Sequence, residues 1–166
     1  MGIAGGKEKC GYVTEDLRFD ACVDHRAPDF AEMLATVCPK GIDVYFENVG
    51  GAVWQAVLPL LNDFARVPIC GLIAQYNAPA SDAAPNLLAA TMRAILTKSL
   101  TLRGFINYEF AKEHYGAFLG IVADGIADGR IRYREDITEG LENAPAAFIG
   151  MLEGRNFGKA LVHVGR

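Results

Sequence analysis

The sequence predicts an α/β fold in which parallel strands alternate with helices, and two observations carry that expectation. Short β-rich runs recur at DACVDHR (Asp20–Arg26), IDVYFENVG (Ile42–Gly50), ARVPICGLIA (Ala65–Ala74) and LTLRGFI (Leu100–Ile106). Between them lie stretches whose apolar residues repeat at helical spacing. Strand-then-helix units of this size imply parallel strands joined by right-handed crossovers.

Each element has a local reason. GIAGG (Gly2–Gly6) reads as the tail of a strand and its turn. Asp29 with Glu32 forms an N-cap and N3 pair, and Phe30, Met33, Leu34 and Val37 make the apolar stripe behind it. Trp54, Val57, Leu58 and Leu61 fall at i, i+3, i+4 and i+7 on one helix face; Pro59 inside that helix should bend it or move its start. Pro68 removes one ladder donor from an interior strand, which predicts a bulge or a local loss of pairing. A helix over Leu87–Lys98 leads into Leu100–Ile106. A longer helix carries Tyr115, Phe118, Leu119, Val122 and Ile126 on one side and ends at Asp128–Gly129. After Gly129 the order is strand, turn, helix, Gly-rich turn, strand. The expected organisation is therefore a nucleotide-type domain over 1–129 and a distinct segment over 130–166.

Composition narrows the function classes. The chain has 166 residues, 51% of them hydrophobic, enough to bury a core. Its formal net charge of −4 is spread along the sequence, which argues against nucleic acid or an anionic membrane surface as partner. No apolar run reaches the roughly 18–20 residues that span a bilayer. The first residues show no secretory pattern. Cys10, Cys22, Cys38 and Cys70 form no CxxC pair, and His25, His114 and His163 are scattered, so no metal site is expected. The cysteines read as buried free thiols of a cytoplasmic protein.

An open parallel sheet normally begins with a strand, a glycine-rich turn and a helix whose N-terminus holds a pyrophosphate. The sequence contains neither GxGxxG nor GxxxxGK[ST]. Met1 reads as a start in the middle of such a fold. The missing strand would lie between the second and fourth strands, so the sheet should be split.

Seven segments carry a family resemblance: GGKEKCGYV, FDACVDHR, GIDVYFENVGG, CGLIAQYN, LRGFI, RYREDITEGLENAPAAFIGMLEG and NFGKALV. In this order, over Gly2–Val164, they resemble the C-terminal portion of a zinc-independent medium-chain dehydrogenase/reductase. The matching branch is that of leukotriene B4 dehydrogenase, prostaglandin reductase and the NADP-dependent alkenal reductases. The resemblance implies a Rossmann-type NADP(H) domain with helices on both faces, lacking its first strand, glycine turn and first helix. Residues 130–166 would return toward a substrate domain.

The resemblance also implies the site residues. Lys9 matches the cation that meets the adenosine 2′-phosphate, in keeping with the preference of a phosphorylated ribose for a base there. On its own, Lys9 reads as a solvated lysine at a helix start. His25 stands where relatives often have a tyrosine beside that phosphate; its charge would make binding pH-sensitive, and Arg26 could supply the charge instead. Asn48 matches a contact at a strand end, although an ordinary strand-to-helix turn would use the same residues. Cys70, Gly71 and Leu72 line the nicotinamide side. Tyr76 is the candidate catalytic residue, able to hydrogen-bond a ribose or a substrate carbonyl; alternatively it is an amphipathic surface tyrosine. Phe105, Ile106 and Asn107 match the segment facing the nicotinamide carboxamide. Asn156 and Gly158 match a late contact near the cofactor, where the residues alone read as a turn.

The activity so implied is hydride transfer from NADPH to the C=C bond of an α,β-unsaturated carbonyl, an enone or alkenal, without zinc. A quinone reductase of the same superfamily is the nearest alternative. A reading of another class is a truncated, non-catalytic folding or dimerisation module: without its phosphate loop, the isolated chain is expected to be inactive and to bind NADPH weakly. The family pairs the strand equivalent to Leu100–Ile106 across a two-fold axis, and LTLRGFI alternates as an exposed edge would, so a homodimer is expected.

Overall fold

Parallel strands cannot be joined by tight hairpins, so each pair needs a crossover element. Every strand pair among the described residues of the computed structural model is parallel. The structure describes residues 1–76 and 87–165. It has two compact units, Met1–Asp24 with Gly116–Arg166, and His25–Tyr115.

In the first unit β1 (Gly2–Ala4) pairs in register with β2 (Cys22–Asp24). The crossover between them is α1 (Lys7–Gly11), prolonged by a π-helical turn at Tyr12–Asp16. The Gly6 N–H donates to Asp24 Oδ1 at 2.8 Å, tying the turn after β1 to the end of β2. Fully buried Val23 anchors this pair. Further along, α6 (Ala144–Leu152) connects β6 (Glu135–Glu139) to β7 (Lys159–His163), a second parallel pair.

The second unit holds a three-stranded sheet in the order β3-β4-β5, formed by Ile42–Val44, Leu61–Ile69 and Thr101–Gly104. The helices are α2 (Phe30–Val37), α3 (Gly51–Val57) and α4 (Leu88–Lys98). Leu34, Val57, Leu61 and Val67 are essentially removed from solvent and form the core. The α/β class is as expected, and so is the division of the sheet: among the described residues β1-β2 and β3-β4-β5 are separate sheets.

Four local expectations need correction. Leu61 does not continue the face of Trp54, Val57 and Leu58. The proline at position 59 cannot donate, so α3 stops at Val57, a 3-10 turn spans Leu58–Leu60, and Leu61 opens β4. Asp29 sits at the N-cap of α2 but makes no side-chain capping bond. Pro68 leaves the β4·β5 register unbroken from Arg66 to Ile69. The irregularity lies instead toward β3, between Ile42↔Leu61 and Val44↔Arg66, where exposed Phe64 adopts φ 63°. Even-numbered residues of β4 face β3, so Pro68 lacks only a donor on that side, while its carbonyl accepts from Glu47 N at 2.9 Å. Finally, none of the four cysteines is deeply buried: Cys10, Cys22 and Cys38 are half-buried and Cys70 is exposed.

The long helix α5 (Tyr108–Ala127) ends one residue before Asp128, with Gly129 at φ 77°. Its apolar stripe stays largely exposed at Tyr115, Phe118, Leu119 and Ile126. Among the described residues, no helix is long and apolar enough to cross a membrane.

Leu34 contributes the α2 anchor to the core. Leu34→Ala is expected to destabilise the protein by about 2–5 kcal/mol. Chemical denaturation checks this, and an unshifted midpoint would show that α2 does not hold the core.

Candidate functional site

In a parallel sheet all carboxyl ends lie at one edge, where loops leave main-chain groups available to a ligand. At the ends of β4 and β5, Cys70, Gly71, Leu72, Tyr76, Phe105 and Ile106 line one cavity of about 420 Å³ together with Ile69, Gly104 and Glu109. Six residues chosen from the sequence thus share one concavity. Tyr76 is 66% exposed. Asn77, the last residue of CGLIAQYN, lies outside the described residues.

Main-chain bonds pin the strand tips together. Cys70 N and Gly71 N donate to Glu47 O at 2.8 and 3.3 Å, Ile73 N to Asn48 O at 3.3 Å, and Ala74 N to Val49 O at 2.9 Å. Phe105 N donates to Ile69 O at 3.2 Å. Gly71 is needed for space: a Cβ there would lie 2.7 Å from Asn48 Oδ1 and 3.2 Å from the Tyr76 hydroxyl. Asn48 and Tyr76 therefore converge over the same glycine. Phe105 is held edge-on between Phe46 and Phe110, with ring centroids 6.1 and 5.9 Å away.

Asn107 is not among the lining residues. It opens α5, and its carbonyl accepts from Phe110 N and Ala111 N, each at 3.1 Å. The Ile106 N–H is bonded to Glu109 Oε1 at 2.9 Å, and Glu109 Oε2 meets Arg103 Nη2 at 3.2 Å. The Glu109 side chain thus caps the start of α5 from within the cavity lining.

The residue that sequence reasoning missed is Glu47. It is 2% exposed, the one buried charged side chain among the described residues. Its Oε1 accepts from Val49 N at 2.7 Å, Gly50 N at 2.8 Å and the Tyr45 hydroxyl at 3.2 Å. Oε2 is buried and makes no hydrogen bond among the described residues. Burial pushes the Tyr45 hydroxyl well above the usual tyrosine range, and the charge of Glu47 pushes it further, so Tyr45 remains a neutral donor. A legible signal existed: an acid placed two and three residues before the main-chain donors of a glycine turn can accept both.

The remaining candidates lie elsewhere. Lys9, Asn156 and Gly158 line a cavity of about 430 Å³ in the first unit, together with Tyr12, Arg132 and Arg134. Lys9 is half-buried on α1, and its ammonium donates to Gly154 O at 2.9 Å. Asn156 Nδ2 donates to Gly158 O at 2.8 Å. Gly158 has φ 109°, and a Cβ there would collide with the Arg134 carbonyl. His25 is exposed in the turn after β2 and lines neither cavity. Among the described residues, no group of three or more His, Cys, Asp or Glu side chains could hold a metal.

The sequence model of a family described as zinc-binding dehydrogenase matches residues 17–162. The chain is 51% identical to the NADPH-dependent curcumin reductase of Escherichia coli (strain K12), over 99% of this chain and 48% of that protein. It is 36% identical to the 2-alkenal reductase (NADP(+)-dependent) of Nicotiana tabacum, over 100% of this chain and 47% of that protein. Among solved structures, CurA of Vibrio vulnificus in complex with NADPH matches with a TM-score of 0.94 at 52% identity, over 99% of this chain and 49% of that one. The chain spans about half the length of the curated relatives it matches.

Cysteine chemistry reads the cavity directly. Burial, then the hydrogen bond shared with Cys10, which favours the neutral thiol, pushes Cys22 up to about 12, whereas Cys70 is exposed at the cavity wall. Near pH 8, iodoacetamide is expected to label Cys70 well before Cys22, as peptide masses would reveal. Equal labelling of the two would contradict this account of the cavity wall.

Proposed function

The chain belongs to the zinc-binding dehydrogenase family, and on that premise we propose that it is the nicotinamide-binding part of an NADP(H)-dependent oxidoreductase that reduces the C=C bond of α,β-unsaturated carbonyl compounds. Residues 1–129 would serve the nucleotide and 130–166 would lead toward a substrate domain, within a cytoplasmic enzyme. One observation carries the reading: Cys70–Leu72, Tyr76, Phe105 and Ile106 converge on a single cavity at the ends of adjacent parallel strands. The names of the relatives support it, being NADPH-dependent curcumin reductase and 2-alkenal reductase.

The cavity, with Leu72, Tyr76, Phe105 and Ile106 in its wall, suits a nicotinamide ring. The missing Cβ of Gly71 lets the Asn48 carboxamide and the Tyr76 hydroxyl close on that backbone, bringing an amide and a hydroxyl to one point. When bound, the reduced nicotinamide supplies hydride to the β-carbon of the enone. The Tyr76 hydroxyl is the donor suited to the carbonyl oxygen, where negative charge develops as the enolate forms. The α-carbon then takes a proton from Tyr76 or from water. Phe105 and Ile106 offer main chain to the carboxamide, with Glu109 already engaged at the Ile106 N–H. In the first unit, Lys9 supplies the charge for the adenosine 2′-phosphate, with Asn156 and Gly158 beside it. His25 is retained as a second phosphate contact on resemblance alone.

The full-length protein is the material for the test. NADPH oxidation should depend on an added 2-alkenal or cyclic enone, and label from deuterated cofactor should appear at the β-carbon of the product. Turnover of quinones with no enone turnover would move the protein to the quinone-reductase reading. Lys9→Ala should raise the Michaelis constant for NADPH on the order of tenfold more than that for NADH, the worth of a charge-assisted hydrogen bond. Equal effects on both would remove the phosphate assignment.

Among the described residues β5 is the terminal strand of its sheet, with no strand partner for its outer N–H and C=O groups. This supports a homodimer paired through Leu100–Ile106. Sedimentation of the full-length protein should give twice the monomer mass; a monomer at micromolar concentration would reject the pairing.

A further inference from the structure

Glu47 is expensive to bury, and nothing in the core requires it. An ionised carboxylate loses its hydration in a site of low dielectric, and a stranded acceptor costs further. A valine, as at nearby Val67, would pack against the same sheet without that penalty. What Glu47 does instead is specific. One oxygen gathers Val49 N, Gly50 N and the Tyr45 hydroxyl, while the Glu47 main chain gives its N–H to Pro68 and its carbonyl to Cys70 and Gly71. Apart from the Tyr45 hydroxyl, just past β3, every group so held belongs to the turn carrying Asn48 or to the strand tip carrying Gly71.

We propose that Glu47 is the positioning residue of the nicotinamide-facing turn: its Oε1 fixes Val49 and Gly50, and so sets Asn48 over Gly71 beside Tyr76. This rests on the reductase reading above. Gly50 (φ 76°) and Gly51 (φ 56°) both take left-handed conformations here, so the turn has no side-chain bulk of its own to hold its shape. The Glu47 carboxylate supplies the missing restraint. It touches no reacting atom and acts through Asn48. Glu47 and Gly50 also line a larger cavity of about 640 Å³ with Trp54, the single tryptophan of the sequence, which makes the turn observable by fluorescence.

The acceptor, rather than the charge, is the operative feature, and that separates the variants. Glu47→Gln keeps a carbonyl oxygen for both N–H groups; Glu47→Ala keeps none. In the full-length protein, Gln is expected to hold kcat for enone reduction within about threefold of wild type. Ala is expected to lower kcat on the order of tenfold to a hundredfold, as a misplaced group does. The Michaelis constant for NADPH should move less than about threefold in both variants, because the Lys9 region is untouched. A loss of packing alone would lower the melting temperature of Ala and leave kcat of the folded fraction unchanged, which would overturn the proposal. So would a Gln variant as impaired as Ala. Should Ala not fold, Glu47→Asp, whose carboxylate falls short by one methylene, replaces it: kcat below that of Gln supports the proposal, and kcat equal to wild type overturns it. If the wild-type protein reduces no enone, the reductase reading fails by itself. Trp54 emission then decides the role of Glu47: a shift in Ala or Asp and none in Gln upholds it, and no shift in any variant removes it.

Discussion

A buried carboxylate that accepts two successive main-chain donors is the contact around which the second unit is arranged. β3 ends at Val44, yet Glu47 rejoins the sheet through an isolated bridge to Ile69, and beyond it the chain must turn sharply into α3. A sheet edge alone cannot enforce such a turn, because the N–H groups of Val49 and Gly50 have left the ladder and need acceptors. Glu47 Oε1 satisfies both. The same residue compensates for Pro68. A central strand that lacks a donor on its β3 side still closes against β3, because the Pro68 carbonyl and the Cys70 N–H bracket Glu47 from either side.

The cavity beside this turn is walled largely by the apolar residues Ile69, Leu72, Phe105 and Ile106, with Gly71 and Gly104 between them. Under the proposed reductase reading, hydride chemistry would belong to the cofactor, and the protein would contribute distance, orientation and a donor for developing charge. The cavity holds one exposed tyrosine and a glycine whose missing Cβ admits the nearby Asn48 carboxamide. Glu109 lines the same cavity, but its oxygens are committed to Ile106 N and Arg103, so it shapes the backbone there.

The elements easiest to read were those whose determinants are local. The Leu87–Lys98 helix, the stop at Asp128–Gly129 and the strand-helix-strand order after Gly129 all emerge where spacing and turn residues placed them. What escaped is set by neighbours distant in sequence or by competition between local signals. Leu61 satisfied a helical spacing that Pro59 cancels. Asp29 has the chemistry of a cap but makes no side-chain capping bond. Glu47 looked like part of a turn because its burial depends on β4 and on Tyr45, which spacing does not reveal. The segment of Phe105, Ile106 and Asn107 is expected to face the nicotinamide carboxamide, and Glu109 already holds the Ile106 N–H within it.

The Lys9 cavity shows how charge can be poised without an acid. Its lining includes Lys9, Arg132 and Arg134 and no carboxylate. Each cation is anchored by a neutral partner: Lys9 by the Gly154 carbonyl at 2.9 Å, Arg132 by the Asp16 carbonyl at 3.2 Å, and Arg134 by the Phe157 ring, 3.8 Å below its guanidinium. Neutral partners orient these groups without pairing their charge within the cavity lining. An ammonium has three donors, and Lys9 spends one on Gly154. Under the proposed NADP(H) reading, the carbonyl aims the side chain and, among the described residues, leaves donors for the adenosine 2′-phosphate that an unphosphorylated ribose would not engage.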